Sequence, residues 1–235
     1  MKLAIVGTGI AGNTVAHHLH TEHDITVFEA QSHIGGHTHT HDIELQGLHF
    51  AVDTGFIVFN DRTYPNFLKL LDELMIAAQP TEMSFSVRTD ARDLEYNGHS
   101  LNTLFAQRRN LIRPSFLRMI QDILRFNREA PALLEQELEN KQEISLGAYL
   151  RDGGYREDFI HHYIIPMGAA IWSTDPQQMM EFPAQFFIRF FRNHGLLEIN
   201  NRPQWYVVRG GSREYAHALV APFRSRIHLN TPVTQ

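Results

Sequence analysis

The stretch "LAIVGTGIAGNTVAHHLHTEHDITVFE", Leu3 to Glu29, decides the fold. "LAIV" is a short apolar run suited to a buried parallel strand. Gly7, Gly9 and Gly12 follow in the G-x-G-x-x-G spacing, with the small Ala16 four residues on. Gly7 permits the tight turn out of the strand, Gly9 lets the backbone approach a pyrophosphate, and Gly12 lets the next helix pack on the strand. Ile10 and Ala11 fall at the start of that helix, where free N–H groups and the positive dipole end suit phosphate. After the turn "TEHD", "ITVFE" reads as a second strand ending in Glu29, placed to accept hydrogen bonds from ribose hydroxyls. A glycine triplet alone is weak evidence, and a phosphate-free turn is its competing reading. Strand, turn, helix, strand and acid in series are specific to a dinucleotide site on an α/β, Rossmann-like domain.

Beyond the acid, "EAQSHIGGHTHTHD" (residues 29–42) brings four histidines and a glycine pair. In an extended strand His37, His39 and His41 share a face, and with Asp42 they offer zinc-type ligands. Side chains along one strand converge poorly for a tetrahedral site, so the expectation is a strand and no metal.

The segment Glu29–His37 has the form E-x-x-x-H-x-G-G-H. It resembles the E-x-x-x-R-x-G-G-R continuation of the flavin-containing amine oxidase, phytoene desaturase and protoporphyrinogen oxidase superfamily. The resemblance implies FAD as cofactor, with Ala30, Gly35, Gly36, His37 and Thr38 joining the glycine turn and Glu29 in holding it. His33 and His37 stand where arginines are usual. Histidine is only partly charged near neutrality, so phosphate contact is expected to be weaker and pH-sensitive.

With 235 residues and 43% hydrophobic content the chain can bury a sizeable core. A net charge of −5 argues against general nucleic-acid binding, which needs a basic surface. The absence of cysteine removes disulfides and thiolate chemistry. "MKLAIVGTGIAG" meets glycine too early to be a signal-peptide core or membrane span, and the expected location is cytoplasmic.

"DIELQGLHFAVDTG" reads as a hairpin turning at Gln46 and Gly47, leading into "DTGFIVFN" with Asp53 and Gly55. That segment resembles the one that brings the superfamily chain back toward the flavin, where Gly55 is either a cofactor contact through close backbone approach or an ordinary turn residue. "YPNFLKLLDELMIAA" predicts a helix from about Tyr64 to Ala78, with Pro65 near its start. "QPTEMSFSVRTD" and "LEYNG" predict strands of a second sheet, and the pattern from Ser100 onward is helical. After Pro114, Phe116, Leu117, Ile120, Ile123 and Leu124 accompany Arg118, Arg125 and Arg128, preceded by Arg108, Arg109 and Arg113. That basic helix suits an anionic membrane surface or, more simply, solvated arginines. Pro183 opens a helix with Phe186 and Phe190 on one stripe and Phe187 and Phe191 on its neighbour. Core packing is the plain reading. The alternative is that Phe186 and Phe190, with Met167, Trp172 and Trp205, line an apolar route to the flavin. "RPQWYVVRGGSREYAHAL" predicts a strand, a glycine pair and a helix from Ser212, and "RIHLNTPVTQ" a last strand.

The combination "GGHTHT", "DTGFIVFN", "YNGHSLNTLFAQRRNL", "PMGAAIWST", "NHGLL" and "RPQWYVVRGGSREY" is similar to a narrower group, bacterial FAD-dependent oxidoreductases usually encoded beside cyclopropane-fatty-acid synthase. The superfamily architecture implies a glutathione-reductase-type FAD domain in two segments, residues 1–60 and 204–235. An inserted α+β, largely helical substrate domain is implied at 61–203, and Val233 at the backbone position that meets adenine. Such proteins are longer, so the resemblance implies an N-terminal portion. It also implies hydride removal from an apolar substrate, a phospholipid acyl chain among the candidates, with peripheral contact at the inner membrane surface. A flavin amine oxidase acting on a small molecule, and a non-catalytic FAD-binding fragment, are the alternatives. Many amine oxidases use a lysine-held water near the flavin; here the lysines are Lys2, Lys69 and Lys141, none in such a context. His39 and Asp53 are the candidate bases.

Overall fold

The computed structural model describes residues 1–137, 143–198, 200 and 202–234. They fall into two units, Met1–Glu82 with Gln204–Gln235, and Met83–Pro203.

The first unit begins with β1 (Lys2–Val6), α1 (Ile10–Leu19) and β2 (Asp24–Phe28). β1 and β2 pair in parallel, Lys2 opposite Asp24 through Val6 opposite Phe28. Leu3 and Ile5 pack toward Ala16, Ile25 and Val27, but Ala4 and Val6 are exposed, Val6 at 67%. The expected doubly buried strand is therefore covered on one face only, by the α1 layer. β3 (Thr40–Leu45) and β4 (Leu48–Asp53) form the expected hairpin. Gln46 and Gly47 both take positive φ (54° and 77°), the geometry of a two-residue type I′ turn. Its register puts Ile43, Leu45, Leu48, Phe50 and Val52 on one face, and all five are exposed.

β5 (Phe59–Asn60) leads to α2 (Pro65–Glu73) and β6 (Ala78–Thr81). α2 stops five residues short of the predicted Ala78. Met75 adopts the left-handed conformation (φ 54°), and Ile76 N–H donates to Leu71 O while Met75 N–H donates to Asp72 O. This is a Schellman termination, with Ile76 and Leu71 in one apolar cluster.

In the second unit β7 (Ser86–Thr89) and β8 (Leu94–Asn97) form an antiparallel pair. The predicted common sheet is not formed, because β6 belongs to a different sheet in the first unit. Then come α3 (Leu101–Leu104), a 3-10 turn (Arg108–Ile112), α4 (Pro114–Glu129), α5 (Pro131–Glu137), α6 (Leu146–Asp152) and α7 (Glu157–Phe159). A π turn (Ile160–Ile164) leads into α8 (Ile165–Trp172), followed by α9 (Pro176–Glu181) and α10 (Ala184–Asn193). Pro166 lacks the N–H that a regular helix would direct at the His162 carbonyl. The Tyr96 hydroxyl fills that position, donating to His162 O at 2.6 Å.

The core of this unit runs through Phe116, Met119, Phe126, Leu150, Phe159, Phe187 and Phe191. α4 thus buries Met119 and Phe126, while Leu117 and Leu124 lie outside. Arg125 is not a freely solvated arginine: its guanidinium sits 4.0 Å over the Tyr155 ring. Among the described residues no helix is long and apolar enough to cross a membrane.

The chain returns to the first unit with β9 (Trp205–Val208), α11 (Arg213–Val220), a 3-10 turn (Ala221–Arg226) and β10 (Ile227–His228). β9 lies between β5 and β6, and β10 adds in parallel to β2, giving the strand order β1-β2-β10. The predicted last strand is short: Asn230 and Thr231 leave the ladder, though their N–H groups still bond Gln31 O and Glu29 O.

Candidate functional site

The loop between β1 and α1 carries the chemistry of the first unit. Gly7 turns the chain at φ 92°, which an L side chain rarely adopts. A Cβ at Gly12 would meet Gly7 O at 2.1 Å, so helix and loop touch there. At Gly9 the same construction meets nothing within 4 Å, and the α1 N-terminus that follows has no side-chain cap. Ile10 and Ala11 are exposed beside it. Open space therefore borders a helix end whose first N–H groups have no partner in the helix.

Glu29 closes the loop from the second strand. It is buried; its Oε2 accepts from Thr8 N–H (2.7 Å) and the Thr8 hydroxyl, and its Oε1 from Gln31 N–H (2.8 Å). Burial pushes the Glu29 carboxyl upward, but the bonds from Thr8, Gln31 and Ala30 outweigh it and the net shift is downward. A depressed folded-state pKa contributes stability that is complete above the unfolded value near 4.5 and is lost as pH falls through the folded value. Glu29→Gln is therefore expected to be less stable than wild type at pH 7, with the gap closing in acid. Denaturant midpoints from pH 7 to 3 check this, and parallel curves would contradict it.

The glycine pair comes back onto the loop. Gly35 N–H approaches the Thr8 hydroxyl at 3.3 Å, and a Cβ on Gly36 would lie 3.1 Å from the Gly9 Cα. Gly55 packs so tightly on the His37 carbonyl that a Cβ there would sit 1.8 Å from it, and Phe56 N–H bonds the same oxygen. The close approach at Gly55 is to the chain's own backbone. The Thr38 hydroxyl bonds the Tyr215 hydroxyl, and Thr38 is buried while His37 is exposed. Val233 is exposed, two residues beyond the Thr231 bond to Glu29. Sequence reasoning missed Thr8, the residue inside G-x-G that joins loop, acid and glycine pair. A hydroxyl residue in that slot was the available signal.

The candidate bases are differently employed. His39 stacks on His33 (centroids 4.3 Å, 12°) and lies tilted against His41 (4.1 Å, 46°), so His33 takes the place expected of His37. Partial burial, then the neighbouring His41 and His33, hold the His39 pKa below its usual value. Stacked rings do not converge on a point, and among the described residues no group of three or more His, Asp or Glu side chains is arranged for a metal.

Asp53 is tied down. Its Oδ1 accepts from the Ser212 hydroxyl (2.7 Å) and the Thr40 hydroxyl, and both its oxygens receive Ser212 N–H at 3.0 Å. Arg213 and Asp42 add a bidentate ion pair, which lowers the Asp42 pKa through its hydrogen bonds to Arg213. The polar face of the β3–β4 hairpin is thereby bound to the start of α11. Lys2 begins β1, Lys69 pairs with Glu73 at 3.8 Å, and Lys141 lies outside the described residues.

In the second unit Trp172 is surrounded by Phe182, Phe186, Phe187 and Phe190, with centroids 4.8–6.2 Å away. Phe187 is core, Trp172 and Phe190 are half-buried, Phe186 is exposed, and Met167 packs against the same core. Trp205 is buried in the first unit, opposite Asn60 and Thr81.

The family model described as flavin containing amine oxidoreductase matches residues 10–235. The chain belongs to that family. Solved structures similar to it include the following three. Putrescine oxidase bound to putrescine is 20% identical over 99% of this chain and 52% of that one, with a TM-score of 0.66. Cyclohexylamine oxidase from Brevibacterium oxydans is 18% identical over 98% and 51%, with a TM-score of 0.69. An oxidoreductase from Methanosarcina mazei is 16% identical over 98% and 51%, at 0.59. At these identities the likeness establishes an α/β FAD-binding fold with helical insertions. The chain spans about half the length of these structures. No curated protein matched it.

FAD is the cofactor of this family, and the residues present fit it. The space beside Gly9, the uncapped α1 terminus and the Glu29 carboxylate form a cradle for a diphosphate linked to a ribose.

Proposed function

We propose that this chain is the FAD-holding part of an oxidoreductase of the amine-oxidase type, acting at a carbon bonded to nitrogen in a small amine. The observation that carries the reading is the family match over residues 10–235, joined to the open cradle at Gly9. Similarity to a putrescine oxidase and a cyclohexylamine oxidase supports an amine as substrate. The first unit serves as the cofactor domain and the second as the substrate domain. Gly9, Ile10, Ala11 and Gly12 hold the pyrophosphate through their N–H groups, Glu29 the ribose, and Gly35 and Gly36 keep the adjoining backbone close. Bound FAD supplies a two-electron acceptor for the substrate's hydride. Asp53 holds the hairpin rather than a proton. His39, kept neutral to lower pH than an ordinary histidine, is the remaining candidate for proton acceptance.

A second reading rests on the aromatic cluster around Trp172, whose uncharged rings suit an apolar substrate. The resemblance to oxidoreductases encoded beside cyclopropane-fatty-acid synthase supports an acyl chain in that role.

The visible spectrum of the purified chain, incubated with FAD and then freed of unbound FAD by gel filtration, tests the shared premise. Bound flavin with bands near roughly 375 and 450 nm is expected, followed by bleaching on anaerobic addition of amines. A chain that stays colourless defeats the proposal, and bleaching by unsaturated lipid but not amines transfers it to the second reading.

A further inference from the structure

One corner of the second unit departs in composition from the rest of the chain. From Tyr96 to Gln121 there is no aspartate or glutamate, while Arg108, Arg109, Arg113 and Arg118 fall inside that span of a protein with net charge −5. In the same span Leu101 is 77% exposed, Leu111 51%, Ile112 84% and Leu117 36%. Scattered exposed leucines need no explanation, but these are gathered by an ordered framework.

Ser100 and Thr103 form a capping box that fixes Leu101 as the first residue of α3. Arg108 donates to Asn102 Oδ1 (2.7 Å) and Phe105 O (3.1 Å), which brings the 3-10 turn against α3 beside Leu101. Arg109 and Arg113 both donate to Asp93 O, at 2.8 and 3.3 Å. Asn110 and Phe116 are buried and anchor the turn, leaving Leu111 and Ile112 outside. Ile112 and Leu117 occupy the N′ and N4 positions of α4, which lie side by side in a helix entry.

The bonds that Arg108 and Arg113 make are to uncharged oxygens, while the Asp93 carboxylate also acts on Arg113 through space. Arg108 bonds an amide and a carbonyl oxygen, and Arg113 bonds the carbonyls of Asp93 and Arg92. Arg109, by contrast, is ion-paired with Asp93.

We propose that residues 101–118 seat the protein on the surface of a bilayer containing anionic lipid, with Leu101, Leu111, Ile112 and Leu117 entering the interface and Arg108 and Arg113 meeting lipid phosphates. Stable peripheral binding takes both apolar insertion and a basic surface, and the corner supplies both. Nucleic acid would use the arginines but leave the aliphatic side chains in water. A second copy of this corner would bring like charges together. The negative balance of the remaining chain directs this face toward the membrane. The inference does not depend on the reaction catalysed.

The test is co-sedimentation of the 235-residue chain with vesicles of phosphatidylcholine alone or with phosphatidylglycerol added. Binding at least roughly tenfold stronger to the anionic vesicles is expected, weakening as salt rises. Leu111→Ser with Ile112→Ser should abolish it, and Arg108→Gln should weaken it roughly fivefold. Leu45→Ser with Leu48→Ser, on the exposed hairpin of the first unit, should leave it unchanged. Thermal melts of each variant report folding, and Arg108→Gln carries the test if the double serine variant melts early. Equal binding to both vesicles, no binding, or equal loss in the hairpin variant overturns the proposal. So does vesicle-free dimerisation abolished by the same 111/112 substitutions.

Discussion

Replacing Gly9 with alanine is expected to weaken FAD binding while leaving the protein at least as stable as before. Gly9 sits at φ −65°, ψ 174°, a conformation open to any residue, and its new methyl would touch no protein atom within 4 Å. A Gly→Ala change at a compatible backbone position raises stability by about 0.4–1 kcal/mol, through the unfolded state. The same methyl would project into the space assigned to the pyrophosphate. Overpacking there costs about 1–3 kcal/mol, or roughly five- to 150-fold in affinity. Three residues on, Gly12→Ala is expected to do the reverse first: its Cβ would lie 2.1 Å from Gly7 O, so loop and helix must part and the fold itself weakens. Flavin fluorescence titration and thermal melts on both variants read the contrast. A Gly9→Ala protein that binds FAD like wild type would show that the phosphates do not lie beside this glycine.

The difference between these glycines was only half legible in the sequence. Spacing identified β1, the loop, α1, β2 and Glu29, because apolar runs and glycines act over a few residues and their geometry follows from local rules. Which glycine faces ligand space and which faces protein depends on the packing of α1 against the loop. α2 was predicted too long because its left-handed terminator is Met75, where glycine is the usual signal. The alternation of β3 and β4 was legible, but not that the apolar side would face outward. That orientation is set by Thr40, Asp42 and Asp53 bonding to Ser212 and Arg213, more than 150 positions away in the chain. In α4 the arginines were visible, whereas the seat of Arg125 over Tyr155 depends on a residue 30 positions on.

Asp53 shows most sharply what sequence distance conceals, and its substitution is expected to act on stability rather than on chemistry. In "DTGFIVFN" it looked free to accept a proton, yet its carboxylate receives the Ser212 N–H and hydroxyl and the Thr40 hydroxyl. Hydrogen bonds to a charged group contribute about 1.5–3 kcal/mol, and a buried donor left without a partner adds its own penalty. Ser212 is 1% exposed, so Asp53→Ala strands its N–H away from water. A loss of about 3 kcal/mol follows, which for a chain of this size lowers the melting temperature by roughly 6–12 °C. Asp53→Asn keeps an acceptor oxygen and should lose less than half of that. Ser212→Ala removes the hydroxyl bond alone, and combined with Asp53→Ala it should cost less than the sum of the two, because they share that interaction. A catalytic base would give the opposite pattern, with Asp53→Asn melting like wild type while flavin reduction by substrate stops. Melting temperatures of the four proteins decide between the two roles. A wild-type melt in Asp53→Ala would remove the clamp and return Asp53 to the reaction.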